Sequence, residues 1–306
     1  MSTCAGACGL QSTGGCWCDE VCADFGNCCP DYEQECGAAV ADDSCRDRCD
    51  TQAPAGCWCN PQCVDLGDCC LDYASACQAS PGDDPWPGLA DTALIDALEQ
   101  ATTSGHIGLG YGRAREHMYG VSQPSIDVHD GVIEGIYTGV TQAPDGSTFP
   151  GGVINTEHSW PRSDGAEGEP MESDLHHLFP TKEEANTQRA NYDFGETVCA
   201  DAACPWNEGG SERGPDSDGD TVFQVRPDYR GDIARAHFYF SVRYRLPIPG
   251  VGTGQEAVEE QVLRAWHAQD PPSPRERRRN DVIEAVQGNR NPFVDYPGLV
   301  DRISDF

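Results

Sequence analysis

A chain of 306 residues with 38% hydrophobic content is long enough for one sizeable core with smaller modules attached. Its 51 Asp and Glu against 20 Lys and Arg give a net charge of −31, which excludes a protein held to nucleic acid by bulk basicity, although a local Arg cleft with a bound cation meets phosphate without it. No run of 18 or more apolar residues occurs, so no helical membrane span is expected.

Sixteen of the 18 cysteines lie before residue 78. They fall at Cys4, Cys8, Cys16, Cys18, Cys22, Cys28, Cys29 and Cys36, and again at Cys45, Cys49, Cys57, Cys59, Cys63, Cys69, Cys70 and Cys77. Every gap recurs at a period of 41 residues, and Gly-Cys-Trp-Cys and Cys-Cys-x-Asp-Tyr recur with it. This is a tandem duplication of a module of roughly 35 residues, too small to bury a core without cross-links. Dense, even cysteine usage implies disulfides and an oxidising compartment. Zinc is the competing reading, and it fits poorly because the modules contain no His. The opening Met1-Ser2-Thr3 is polar and leads directly into Cys4, so it does not read as a secretory signal. Residues 79–88, with Pro81, Pro85 and Pro87, read as a semi-extended spacer.

Leu89, Leu94, Ile95 and Leu98 repeat at helical intervals behind Asp91, predicting an amphipathic helix. Val132–Tyr137 and Gly152–Asn155 read as short strands, the second ending at Glu157-His158. A Gly- and acid-rich loop, 163–173, precedes a further strand over Leu175–Phe179. Pro180 to Glu184 then opens a helix that carries Asn186 and Arg189 on one face. Carboxylate, imidazole, carboxamide and guanidinium thus gather within roughly 35 residues. Together they supply oxygen ligands for a hard divalent cation, a neutral base for water and a cation for phosphate, the groups that cutting a phosphodiester requires.

The cysteine pattern C-x3-C-x7-C-x-C-x3-C-x5-C-C-x6-C resembles the somatomedin B domain, a four-disulfide knot used for protein contact. Sequence alone allows roughly a hundred pairings per module. The resemblance implies Cys4–Cys18, Cys8–Cys36, Cys16–Cys29 and Cys22–Cys28, with the second module offset by 41. Strand with His, loop, strand, then helix with a metal ligand matches the ββα-metal (His-Me finger) arrangement. The string Glu157-His158-Ser159-Trp160-Pro161, with Asp174-Leu175-His176-His177-Leu178 and Asn186-Thr187-Gln188-Arg189-Ala190-Asn191, resembles the endonuclease I family of secreted and periplasmic nucleases. The likeness continues through Arg230-Gly231-Asp232, Phe238-Tyr239-Phe240 and Asn289-Arg290-Asn291-Pro292-Phe293.

What that resemblance implies is an α+β fold and an organisation of modules at 1–37 and 42–78, the spacer at 79–88 and a catalytic region at 89–306. It implies Glu157 and Asn186 as ligands of one Mg2+ or Mn2+, His158 as general base with a carbonyl on its other nitrogen, and Arg189 as a phosphate contact. Arg162 and Arg290 are further phosphate candidates. The expected partner is DNA, and RNA as a second substrate, with 5′-phosphate products and a monomeric, secreted protein. The cysteine-rich modules would bind a protein or surface ligand. No base-reading motif is present, so broad sequence tolerance is expected.

Several features carry two readings. His176 and His177, adjacent on a strand, point to opposite faces, so only one can enter the site; a zinc site of His158, His176 and His177 is the alternative, although Glu and Asn favour a harder ion. Asp216, Asp218 and Asp220 are either a structural Ca2+ loop or an acidic turn. Arg230-Gly231-Asp232 spells an adhesion tripeptide and also suits a helix N-cap. Cys199 and Cys204 are expected to form a local disulfide. An Asp-rich surface with Lys182 as the only lysine either suits high salt or simply keeps the chain in solution. The rival to a nuclease is an extracellular adhesion protein with an inactive nuclease-like domain; an intact Glu157, His158 and Asn186 set separates the two.

Overall fold

The computed structural model describes residues 84–199, 203–248 and 256–306, together with Cys29, Gln52, Ala53, Gly56, Cys57, Trp58 and Cys70. The chain divides into two compact units, Met1–Ser80 and Pro81–Phe306. In the first, Cys57 and Cys70 form a disulfide with Cα atoms 4.8 Å apart. That pair coincides with the one the resemblance implies for the second module; the other pairings lie outside the described residues.

The second unit runs α1 (Asp91–Thr103), α2 (Tyr111–Met118), β1 (Val128–His129), β2 (Val132–Glu134), β3 (Thr141–Gln142), β4 (Ile154–His158), β5 (Leu178–Lys182), α3 (Glu183–Arg189), β6 (Trp206–Glu208), β7 (Ser211–Pro215), β8 (Thr221–Gln224), α4 (Arg230–Tyr244), α5 (Glu256–Gln269), α6 (Pro274–Gln287) and α7 (Pro292–Asp295). The strands form two small antiparallel meanders, β1-β2-β3 and β6-β7-β8, and the pair β4-β5.

The core sits around α4, whose residues Gly231–Arg243 are buried on every side, as in a helix threaded through a protein interior. Trp160 stacks on Phe240 at 4.9 Å and Phe293 meets Phe238 edge-on at 5.9 Å, in one cluster with Phe194, Phe223 and Trp266, to which α1 adds Leu94 and Leu98, one turn apart. A side chain at Gly231 would place its Cβ 1.9 Å from the Asp270 carbonyl, so only glycine admits this approach. The adhesion tripeptide is therefore a buried helix start. The expected N-cap is also corrected: Tyr229 precedes the helix without a capping side chain, and the Gly231 amide donates to Asp270 Oδ2 at 2.9 Å.

Three expectations in the chain shift. Leu175–His177 is a 3-10 turn instead of strand, because the Asp174 side chain accepts the His176 amide and its carbonyl accepts the His177 amide. Pro180 to Lys182 stay in β5, so α3 begins at Glu183. Residues 84–88 of the expected spacer are pinned to the second unit. Arg302 pairs with Asp84 and donates to the Trp86 and Leu89 carbonyls, Trp86 meets Tyr296 edge-on at 6.0 Å, and the Ser304 amide donates to Asp91.

Asp174 knots these layers together. Fully buried, it accepts hydrogen bonds from Tyr239 (2.9 Å), Tyr244 (2.8 Å) and Gln287 (2.8 Å), with Arg243 Nε at 3.2 Å. Burial by itself would raise its carboxyl, but His176 and Arg243 hold it at about 2. Asp174→Ala should cost about 3–5 kcal/mol, since it strands Arg243 and two hydroxyls in the interior; urea unfolding of the full chain measures this, and a loss below about 1 kcal/mol would contradict it.

Candidate active site

Strands β4 and β5 pair antiparallel with Glu157 opposite Phe179 and His158 opposite Leu178, and α3 follows β5 directly and packs on both. This brings Glu157, His158 and Asn186 to one open cleft of about 250 Å³, lined also by Thr156, Pro161, Arg162, Ser163, Ala190 and Asn191.

Glu157 is 3% exposed. The Tyr137 hydroxyl donates to its Oε1 at 2.7 Å and Arg189 Nε stands 3.4 Å from the same oxygen. Oε2 has no protein partner among the described residues. Burial pushes this carboxyl up to about 7, against the pull of Arg189 and Tyr137. Asn186 Nδ2 donates to Asn155 Oδ1 at 3.0 Å and to the Thr156 carbonyl at 3.2 Å, which orients the amide with its oxygen outward. A buried carboxylate with one oxygen to spare beside an anchored amide oxygen is a hard donor pair that suits Mg2+ or Mn2+.

His158 Nε2 lies 3.0 Å from the Glu172 carbonyl. A carbonyl only accepts, so Nε2 carries the proton and Nδ1 keeps its lone pair. Burial, aided by the positive charges of Arg162 and Arg115, lowers this imidazole to about 4. Arg162 Nη2 pairs with the Glu172 carboxylate at 3.0 Å and is 50% exposed, so a screened pair holds it at the rim without consuming it.

Residues 99–298 match the model of the Endonuclease I family. The chain belongs to the endonuclease I family. Two further matches, over 2–39 and 43–80, are to the somatomedin B domain. Among relatives, an extracellular ribonuclease of Bacillus amyloliquefaciens is 32% identical over 71% of this chain and 75% of its own length. An extracellular ribonuclease of Bacillus subtilis (strain 168) is 37% identical over 50% of this chain and 54% of its own. An extracellular deoxyribonuclease of Aeromonas hydrophila is 36% identical over 41% and 50%. The chain thus spans about half the length of the last two.

Within this family member, two expected phosphate contacts sit elsewhere. Arg189 is 1% exposed, its guanidinium held by the Ser159 carbonyl at 2.7 Å, the Ala190 carbonyl at 3.0 Å and the Phe194 ring. It holds Glu157 from behind and does not face the cleft. Arg290 is spent on Asp281, Glu284 and Asp295 at 2.7–2.8 Å and does not line the cleft. His176 and His177 are both buried, their Nε2 atoms donating to the Asn289 and Met171 carbonyls, and burial lowers each to about 3. The zinc triad does not form, because among the described residues only Cys199, Cys204 and Glu212 converge as ligand atoms. Those two cysteines are joined in a disulfide, Cα atoms 5.2 Å apart. Asp216 Oδ1 accepts the Asp218 and Asp220 amides at 2.9 Å, in the turn between β7 and β8.

Tyr137 and Glu172 support the site although no sequence motif marked them. Glu172 acts on His158 through its backbone carbonyl, which side-chain patterns do not encode. In an NMR titration of metal-free protein, His158 should protonate near pH 4 and remain neutral at pH 6, because its environment favours the uncharged ring; a midpoint near 6.5 would contradict this geometry.

Proposed function

We propose that the chain is a secreted, metal-dependent endonuclease that hydrolyses phosphodiesters in DNA and RNA with broad sequence tolerance, leaving 5′ phosphates. The observation that carries this reading is the single cleft in which Glu157, His158, Asn186 and Arg162 meet, with His158 oriented by the Glu172 carbonyl. Family membership supports the reaction class, and relatives named as extracellular ribonucleases and an extracellular deoxyribonuclease support both substrates and the compartment.

In this reading β4, β5 and α3 form a ββα-metal unit in which Glu157 and Asn186 hold one Mg2+ or Mn2+. The bound ion supplies charge neutralisation on the phosphate and on the departing 3′ oxygen. His158 Nδ1 takes the proton of the attacking water, and the Glu172 carbonyl keeps the ring in the tautomer that leaves Nδ1 free. Arg162 meets a phosphate oxygen from the rim. Tyr137 and Arg189 are positioning residues that fix Glu157. The two cysteine-rich modules are read as binding elements for a protein or surface ligand.

Plasmid DNA and RNA should both be degraded with Mg2+ and left intact with EDTA. His158→Ala should lower the rate by roughly 10²–10⁴-fold while keeping the native circular dichroism spectrum. Intact nucleic acid with metal-loaded wild type would sink the nuclease reading and favour the binding-protein one. The two arginines separate cleanly: Arg162→Ala should reduce kcat/KM with stability within about 0.5 kcal/mol of wild type, whereas Arg189→Ala should cost about 3–5 kcal/mol by uncovering buried Glu157. Thermal melts beside initial rates make the comparison.

A further inference from the structure

We infer that Tyr111, Arg115 and Phe149 form a subsite, in a row that leads away from His158, that stacks an unpaired base of the substrate and gives the enzyme a preference for single-stranded nucleic acid. This rests on the nuclease reading above and goes beyond it, since it assigns three residues outside the cleft and a strandedness.

The rings and the guanidinium form a continuous row. The Tyr111 ring centroid lies 5.2 Å from that of His158. Arg115 lies over the Tyr111 ring at 4.5 Å and over the Phe149 ring at 3.9 Å. Phe149 is 57% exposed, an apolar ring offered to solvent at the end of this row. Its loop is self-pinned: Asp145 accepts the Ser147 and Gly151 amides at 2.9 and 2.8 Å, and Ser147 Oγ accepts the Phe149 amide at 3.0 Å. The ring is therefore held in place before any ligand arrives.

Arg115 supplies the second, independent observation. In a chain of net charge −31 it has no carboxylate partner among the described residues, and its Nε is buried without a hydrogen bond. An arginine without an acid partner amid excess acid, lying over two rings, suits a ligand that brings both an anion and a flat π-face. A nucleotide has both. Bases in a duplex keep their faces stacked on one another, so a protein aromatic reaches a base face only where the strand is unpaired. The row begins at His158 and ends at Phe149, with Tyr111 and Arg115 between them, which puts the stacked base on a nucleotide further along the strand than the one that is cut.

The test measures kcat/KM of the full chain with Mg2+ on a fluorescent single-stranded oligonucleotide and on its duplex. Wild type should favour the single strand. Phe149→Ala should lower the single-strand to duplex ratio by about tenfold, and Phe149→Trp should keep it. Arg115→Lys, which retains charge without the planar stack, should lower it as well. In the His158→Ala background, quenching of 2-aminopurine in a single-stranded oligonucleotide should require Phe149, reporting the stack without turnover. An unchanged ratio in Phe149→Ala, with active wild type, overturns the subsite while leaving the nuclease reading in place. An equal fall on both substrates overturns it too. An inactive wild type overturns the nuclease reading instead, and the two failures are distinct.

Discussion

A carboxylate and a guanidinium buried against each other at the base of a cleft set the conditions for everything around them. Glu157 sits in β4 almost out of water, and only Arg189 and Tyr137 make its charge tolerable there. Because Arg189 ends α3, the pair fixes the helix against the strand, and Asn186, one turn earlier, is carried to the cleft with Glu157. The Ser159 carbonyl binds both Arg189 and His237 Nε2, which ties the same point to α4 and the aromatic core. Rigidity at the cleft is thus inherited from the interior.

The helix beginning at Asp91 and the order strand, loop, strand, helix are legible because apolar periodicity and the clustered Glu157, His158 and Asn186 express them directly. The turn at Leu175–His177 is not, because the Asp174 side chain captures an amide and overrides a run that reads as strand. Arginines are the hardest to read. Arg162, Arg189 and Arg290 carry the same charge, and only burial and the positions of distant carboxylates decide that one faces solvent at the cleft, one props up a buried acid and one is consumed by Asp281, Glu284 and Asp295. The supports of the site, Tyr137 and the Glu172 carbonyl, lie 20 and 14 residues from the groups they hold, and neither belongs to a spacing rule.

An acidic chain faces a particular problem in approaching a polyanion, and the arrangement of its few cations answers it. Most described arginines are locked in ion pairs within the fold, where they balance acids locally. Arg162, half exposed at the rim, and Arg115, stacked without an acid partner, both depress the protonation of His158. Two cations therefore act on the histidine of the cleft in a chain whose net charge is −31. That distribution favours ligands that reach into the cleft over those that coat the protein.

The contacts of Arg302 with Asp84, Trp86 and Leu89, and of Ser304 with Asp91, bring residues 84–91 against 302–304. Neither segment lines the cleft. The partners lie 213–218 residues apart in the chain, so this clasp closes a long loop and forms only when both segments are present.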